Sequence, residues 1–276
     1  DVENYEIYLR ARKKLWSASK PAVLEARAMF DEVLARDPDF APALGGRAIA
    51  MISLYTNQWT DDLETAWEEA VDFAERAVAA DDNEAGAHLA LGIVRSWQKR
   101  REEARNHGRR VLELSPNNPE GHALLSNIEY YAGDFRLAIE EAEAALRVDL
   151  AAAFRLAVHF NWHESVGNHF SAAVSPDGSK FLMNPKWQHF STIQASDLLL
   201  LDANDPATMQ GADAPDASAW CIHAALHRAL PNALVLLHCH PRYATALATL
   251  RDPAMMPFDQ NTARFYGRVS VDLCYG

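Results

Sequence analysis

The sequence repeats with a period of 34 residues. Ala70, Ala104 and Ala138 stand at that interval and open similar stretches, AVDFAERAVAADDN, ARNHGRRVLELSPNN and AIEEAEAALRVD. Ala26 opens a fourth, ARAMFDEVLARDPDF, 44 residues before Ala70, which predicts an insertion of about ten residues around positions 57–63. Pro38 and Pro116 fall at the same distance after Ala26 and Ala104, where the second helix of each unit must stop because proline cannot continue it. A unit this short cannot bury its own apolar stripe. It is stable only when stacked on copies of itself, which confines residues 1–149 to an array of helix hairpins. Gly92 is predicted to mark a close helix contact and Gly133-Asp134-Phe135 a turn.

The period and the positions of the alanines, prolines and Gly-Asp-Phe resemble the tetratricopeptide repeat (TPR) over about residues 4–149. The resemblance implies an all-α superhelix of about four hairpins whose concave face binds a protein or peptide partner. A rigid spacer is the alternative. Arg95, Lys99, Arg100 and Arg101 form a basic run suited to an acidic peptide or, more commonly, to a solvated helix face. His88, His107 and His122 are expected at surface or packing positions.

Composition changes sharply near Asp149. Residues 1–149 hold 18 of the 26 Lys and Arg and 28 of the 38 Asp and Glu, whereas residues 150–276 hold 8 of the 11 histidines. A domain boundary is expected there, with one domain over 1–149 and a second over 150–276. From Ala138 to Trp162 there is no Pro or Gly, and Leu146, Leu150, Ala153, Phe154 and Ala157 keep a helical stripe, so one helix is expected to run through the boundary. The net charge of -12 argues against nucleic acid and anionic membranes as partners. No apolar run approaches the ~20 residues of a membrane span. With no signal peptide evident, the cytoplasm is the expected compartment. Cys221, Cys239 and Cys274 are odd in number and lack a CxxC pair, which fits reduced thiols.

In the second half, residues 167–174 and 180–184 read as strands joined by a turn at Pro176-Asp177-Gly178. Ile193–Asp197 is a connector, Leu198–Leu201 a buried strand and residues 203–215 a loop. Asp216 or Ser218 is expected to cap a helix that carries Trp220, His223 and His227 and stops at Pro231. Leu234-Val235-Leu236-Leu237-His238-Cys239-His240 then reads as a buried strand, followed by a helix over 241–250. Side chains alternate along a strand, so His238 and His240 share a face, about 7 Å apart along it, and can offer two imidazoles to a divalent metal. Such a pair is half a site, since zinc needs a third and usually a fourth ligand. His223 and His227, at i and i+4 without an intervening Glu, read as core packing, as do Trp220 and Tyr243; Cys239 reads as buried and inert.

The blocks DLAAAFRLAVHFNW, GNHFS, FLMNP, ASDLLLLD, AWCIHAALHRALPNALVLLHCHPRYATALA and DQNTARFYGRV, in this order, resemble the class II aldolase/adducin family over about residues 149–276. The resemblance implies an α/β/α layered domain around a mostly antiparallel sheet, in a cyclic homo-oligomer with sites at subunit boundaries. It implies that His238 and His240 bind zinc, or another divalent metal, with a third histidine supplied well downstream. The metal then acts as a Lewis acid on a small hydroxy-carbonyl substrate as a carbon–carbon bond is broken or formed. The third histidine is expected beyond Gly276, with the family domain C-terminally incomplete in this sequence. An incomplete sheet is in turn expected to expose an unpaired edge and apolar surface.

Some positions depart from the aldolases. Ala219 of Ala217-Ser218-Ala219-Trp220 stands where they carry an acid/base glutamate, and Asn184-Pro185-Lys186-Trp187 replaces their phosphate loop. His169 stands at a substrate-binding asparagine. His169, Asn184 and Ser218 are therefore the expected substrate-binding residues. Three readings stay open: a metal-dependent carbon–carbon lyase, a non-catalytic adducin-like contact domain, and a repeat scaffold carrying an inactive aldolase-like remnant.

Overall fold

The computed structural model describes the chain except for residues 1, 18, 165–166, 212–213, 231, 253, 257–259, 266 and 271–276. Pro231, Cys274 and part of the DQNTARFYGRV block therefore lie outside the described residues. Two compact units, Asp1–Val148 and Asp149–Gly276, divide the chain.

The first unit is helical: α1 (Val2–Leu15), α2 (Lys20–Arg36), α3 (Ala41–Thr56), α4 (Leu63–Ala80), α5 (Ala85–Trp97), α6 (Arg101–Leu114), α7 (Pro119–Ala132) and the start of α8 (Phe135–His159). Each helix from α1 to α7 packs on the next, and α1, α3, α5 and α7 also stack in succession. In the last hairpin Ser126 donates to the carbonyl of Ala138 at 2.8 Å, and His122 to Glu141 at 2.7 Å. Local chemistry sets the ends. Asp62 caps α4 through the Thr65 amide, Asn118 caps α7 through Gly121, and Gly133 closes α7 in the left-handed conformation.

The alanines that mark the period lie inside α2, α4, α6 and α8, not at their starts. Ala26, Ala70 and Ala104 are fully buried, because the repeat conserves the point where helices touch and leaves the helix start to capping residues. Gly92 is a second such point, where an added Cβ would meet Leu124 Cδ2 at 2.6 Å. Of the basic run, Arg95 is built into the array, while Lys99, Arg100 and Arg101 are exposed on its surface. Arg95 is buried and bonds Glu75 at 2.7 Å and Gln98 at 2.9 Å, while Arg100 bonds Glu103 at 2.6 Å. His88 and His107 pack against each other, with their Nδ1 atoms 2.9 Å apart.

Helix α8 runs through the division between the units. The second unit adds β1 (His169–Ala173), β2 (Lys180–Met183), β3 (Leu199–Asp202), α9 (Ala217–Ala229), β4 (Val235–His238), α10 (Arg242–Ala248) and α11 (Gln260–Ala263). A 3₁₀ turn, Pro206–Gln210, occupies part of the expected 203–215 loop. The four strands form one antiparallel sheet in the order β3-β2-β1-β4. Its hairpin turns at Gly178, whose φ of 69° favours glycine and whose added Cβ would lie 2.4 Å from the His227 carbonyl oxygen.

Side-chain alternation along β1 divides the layers. Phe170 stacks on Phe154 of α8, with ring centroids 4.9 Å apart, and both rings touch Phe190. On the opposite face, His169 and Ser171 meet α9. The sheet is thus covered by α8 on one face and α9 on the other.

Two strands expected to be buried are edges. β4 pairs only with β1 among the described residues, and Leu234, Val235 and Leu237 are about half exposed. β3 starts one residue later than expected and leaves Leu200 exposed. An apolar run reports affinity for a core, not how many neighbours the strand finds. The helix after β4 is shorter than 241–250, and Tyr243 is exposed instead of packed. Among the described residues, no helix is long and apolar enough to cross a membrane.

Candidate metal centre

β4 ends at His238, which sits opposite His169 of β1 in register. Their rings stack with centroids 4.3 Å apart and planes 9° from parallel. Two residues on, His240 turns back so that its Nε2 lies 3.0 Å from Nε2 of His238. Two ligands on a tetrahedral zinc, with bonds near 2.0–2.1 Å, stand about 3.3 Å apart. The pair therefore fits two corners of a metal site. Glu164 bonds Nδ1 of His240, which fixes that ring with its Nε2 lone pair turned towards His238. The amide of Glu164 is in turn held by the side chain of the buried Asn168. Among the described residues, no group of three His, Cys, Asp or Glu is arranged to hold a metal ion.

Behind the pair lies a chain of buried imidazoles. His169 Nδ1 lies 2.7 Å from Nε2 of His223; Ser171 Oγ bridges Nδ1 of His223 and Nε2 of His227, the latter at 2.7 Å. Nδ1 of His227 lies 3.2 Å from the carbonyl oxygen of Ala233. Burial disfavours the charged rings, and neighbouring imidazoles add to this for most of them. His223 is pushed down to about 3 by burial and then by His169, His227 and His238. His169 is pushed down to about 4 by burial, then His238 and His240, against a smaller opposing pull from Asp216. His238 is lowered by burial and by His240, and His227 by burial. Cys239 is half-buried, and burial raises its thiol.

The remaining expected substrate residues are engaged elsewhere in the unit. Asn184 is buried, accepts from the Phe170 amide at 3.1 Å and donates to the Pro185 carbonyl at 3.2 Å, so its amide ties β1 to the end of β2. Ser218 is exposed, and its hydroxyl and amide both donate to Asp216, the cap of α9. Ala219 is packed in an apolar cluster with Phe181, Met183, Leu201, Ala203 and Ala224. Lys186 is exposed.

Glu164 and Ser171 carry no sequence motif, and His223 and His227, expected as core packing in preference to a metal pair, are buried and join this network. The available signals were the i, i+4 spacing of His223 and His227 and the i, i+2 spacing of His169 and Ser171. Each is weak alone; only the fold joins them. In the first unit, a groove of about 490 Å³ is lined by residues that include Tyr8, Trp16, Ile49, Leu89 and Asn118, drawn from or beside α1, α3, α5 and α7.

Residues 148–275 match the family described as Class II Aldolase and Adducin N-terminal domain. The match supports a class II aldolase/adducin domain in this half of the chain. An adducin-related protein of Schizosaccharomyces pombe is 33% identical over 117 residues, 40% of this chain and 36% of that protein. A solved structure of an aldolase II superfamily protein from Pseudomonas syringae is 33% identical, with a TM-score of 0.41, covering 46% of this chain and 51% of that one. A thermophilic TPR protein from Thermus thermophilus is 22% identical, with a TM-score of 0.44, covering 55% and 80%. The chain spans about a third to half of the length of the first curated relatives it matches, at 36%, 48% and 49%.

Proposed function

We propose that residues 150–276 form a metal-binding, class II aldolase-type lyase domain acting on a small hydroxy-carbonyl compound, behind a tetratricopeptide array over residues 1–149. The observation that carries this reading is the His238–His240 pair, with Nε2 atoms 3.0 Å apart and Glu164 on the outer nitrogen of His240. Zinc or another divalent cation held there supplies Lewis acidity towards the oxygens of such a compound. His238 and His240 would supply two imidazole ligands, Glu164 orients His240, and no third ligand is arranged with them among the described residues. The half-exposed β4 edge supports association with further copies of the domain, and free Cys221 and Cys239 fit a reducing, cytoplasmic setting.

The purified chain is expected to hold about one zinc per protomer, and the His238→Ala/His240→Ala double variant none, by metal analysis and calorimetric titration. A parent chain that retains no zinc would instead favour the second reading, an adducin-like, non-catalytic contact domain. The observation behind that reading is Ala219, a core methyl where the resembling aldolases place a proton-transferring glutamate.

For the array, the groove across α1, α3, α5 and α7 supports docking of an extended peptide. Trp16, 61% exposed, is its largest free ring. Selection of displayed peptides against the full chain is expected to enrich a common sequence whose binding falls about tenfold in Trp16→Ala. Enriched peptides indifferent to both Trp16→Ala and Ile49→Ala would place the partner elsewhere.

A further inference from the structure

The imidazole chain behind the metal pair has one consistent placement of its protons. His227 anchors it. Nδ1 of His227 faces the carbonyl oxygen of Ala233, which can only accept, so Nδ1 carries the proton. His227 is buried and neutral, which leaves its Nε2 as a bare lone pair. Ser171 Oγ, 2.7 Å away, must donate its one proton to that lone pair. The other contact of Ser171 then runs in reverse, with Nδ1–H of His223 donating to Oγ. Neutral, buried His223 is left with a bare Nε2, which accepts from Nδ1–H of His169. His169 therefore ends the chain with an unprotonated Nε2. No hydrogen bond to that atom forms among the described residues, and its ring lies stacked on His238.

We propose that His169 is a ligand-facing group of the His238–His240 site, accepting a hydrogen bond at Nε2 from a hydroxyl of the bound compound. Ser171, His223 and His227 are positioning residues that keep this nitrogen free of a proton. The inference rests on the metal-site reading for the ligand class and deepens it. A lone pair at this point selects a neutral, hydroxyl-bearing hydroxy-carbonyl compound and repels a carboxylate or phosphate oxygen placed there, since neither offers a proton.

The test uses the full chain labelled with ¹⁵N-histidine at pH 7.5, metal-free and zinc-loaded, read by long-range proton–nitrogen correlation of the imidazoles. His169, His223 and His227 are all expected as Nδ1–H tautomers, and dihydroxyacetone is expected to shift the Nε2 resonance of His169. Ser171→Ala should return His169 to mixed tautomers and weaken dihydroxyacetone about fivefold, while Ser171→Thr, which keeps the hydroxyl, should restore both. An Nε2–H tautomer of His169 in the parent chain overturns the proposal, as does a His169 resonance unmoved by saturating dihydroxyacetone in both metal states. Normal zinc binding alongside either result leaves the metal reading intact. Absent zinc binding alongside the expected tautomers and shift removes the metal and keeps the role of His169.

Discussion

Phe154→Ala is expected to destabilise the second unit by about 3–5 kcal/mol, close to the whole stability of many domains of this size. The ring is fully buried, stacked on Phe170 at 4.9 Å and edge-on to Phe190 at 4.6 Å. These three rings join α8 to the sheet. Removing the central one deletes a large transfer term, leaves a cavity that flat aromatic neighbours cannot collapse to fill, and breaks two aromatic contacts. Native-state hydrogen exchange at the β1 and β2 amides reads the loss in this unit alone. Phe160→Ala is the matched control, since that ring is 53% exposed, and its expected cost is below about 1 kcal/mol. Equal costs for the two variants would show that the triad is not the core of the unit.

Acid is expected to loosen the same unit well before carboxylates protonate. His223 has an ordinary value of 6.5 and is pushed down to about 3 in the folded chain. The unfolded chain thus binds a proton that the folded chain refuses. Stability from this group is complete above about pH 6.5 and is lost progressively as pH falls towards 3, by about 2 kcal/mol at pH 5. The groups facing His223 are His169 from β1, His227 from its own helix and His238 from β4, and no carboxylate opposes them. Protection of the β1 amides should fall between pH 7 and pH 5, and the fall should be shallower in His223→Asn. A parent chain equally protected at both pH values would contradict the buried, neutral state of this ring.

The parts of the fold legible in the sequence are those set by local periodicity. Helix hairpins follow from the 34-residue spacing, and strand alternation puts His238 and His240 on one side, although β4 ends at His238 and it is the turn after it that brings their nitrogens together. What stayed hidden depends on contacts between distant residues. Val235 and Leu237 look like core because they are apolar, and only the sheet order shows them on an edge. Arg95 and Arg100 look like a basic patch until Glu75 and Glu103 are folded against them. His169, Ser171, His223 and His227 form one network although β1 and α9 are separated by two strands and a long connection. No short motif contains that network.

The stacking of α1 to α7 in chain order has a consequence for synthesis. The main packing partners in that array are consecutive or next-but-one helices, so hairpins can form one after another as they leave the ribosome. The second unit must wait, because His169 pairs with His238 across 69 residues (238 minus 169). Until β4 arrives, β1 can pair only with β2, His169 lacks its strand partner His238, and the histidine pair does not exist. On the nascent chain, the helical unit is therefore ready first, and His238 and His240 meet His169 only once β4 has followed.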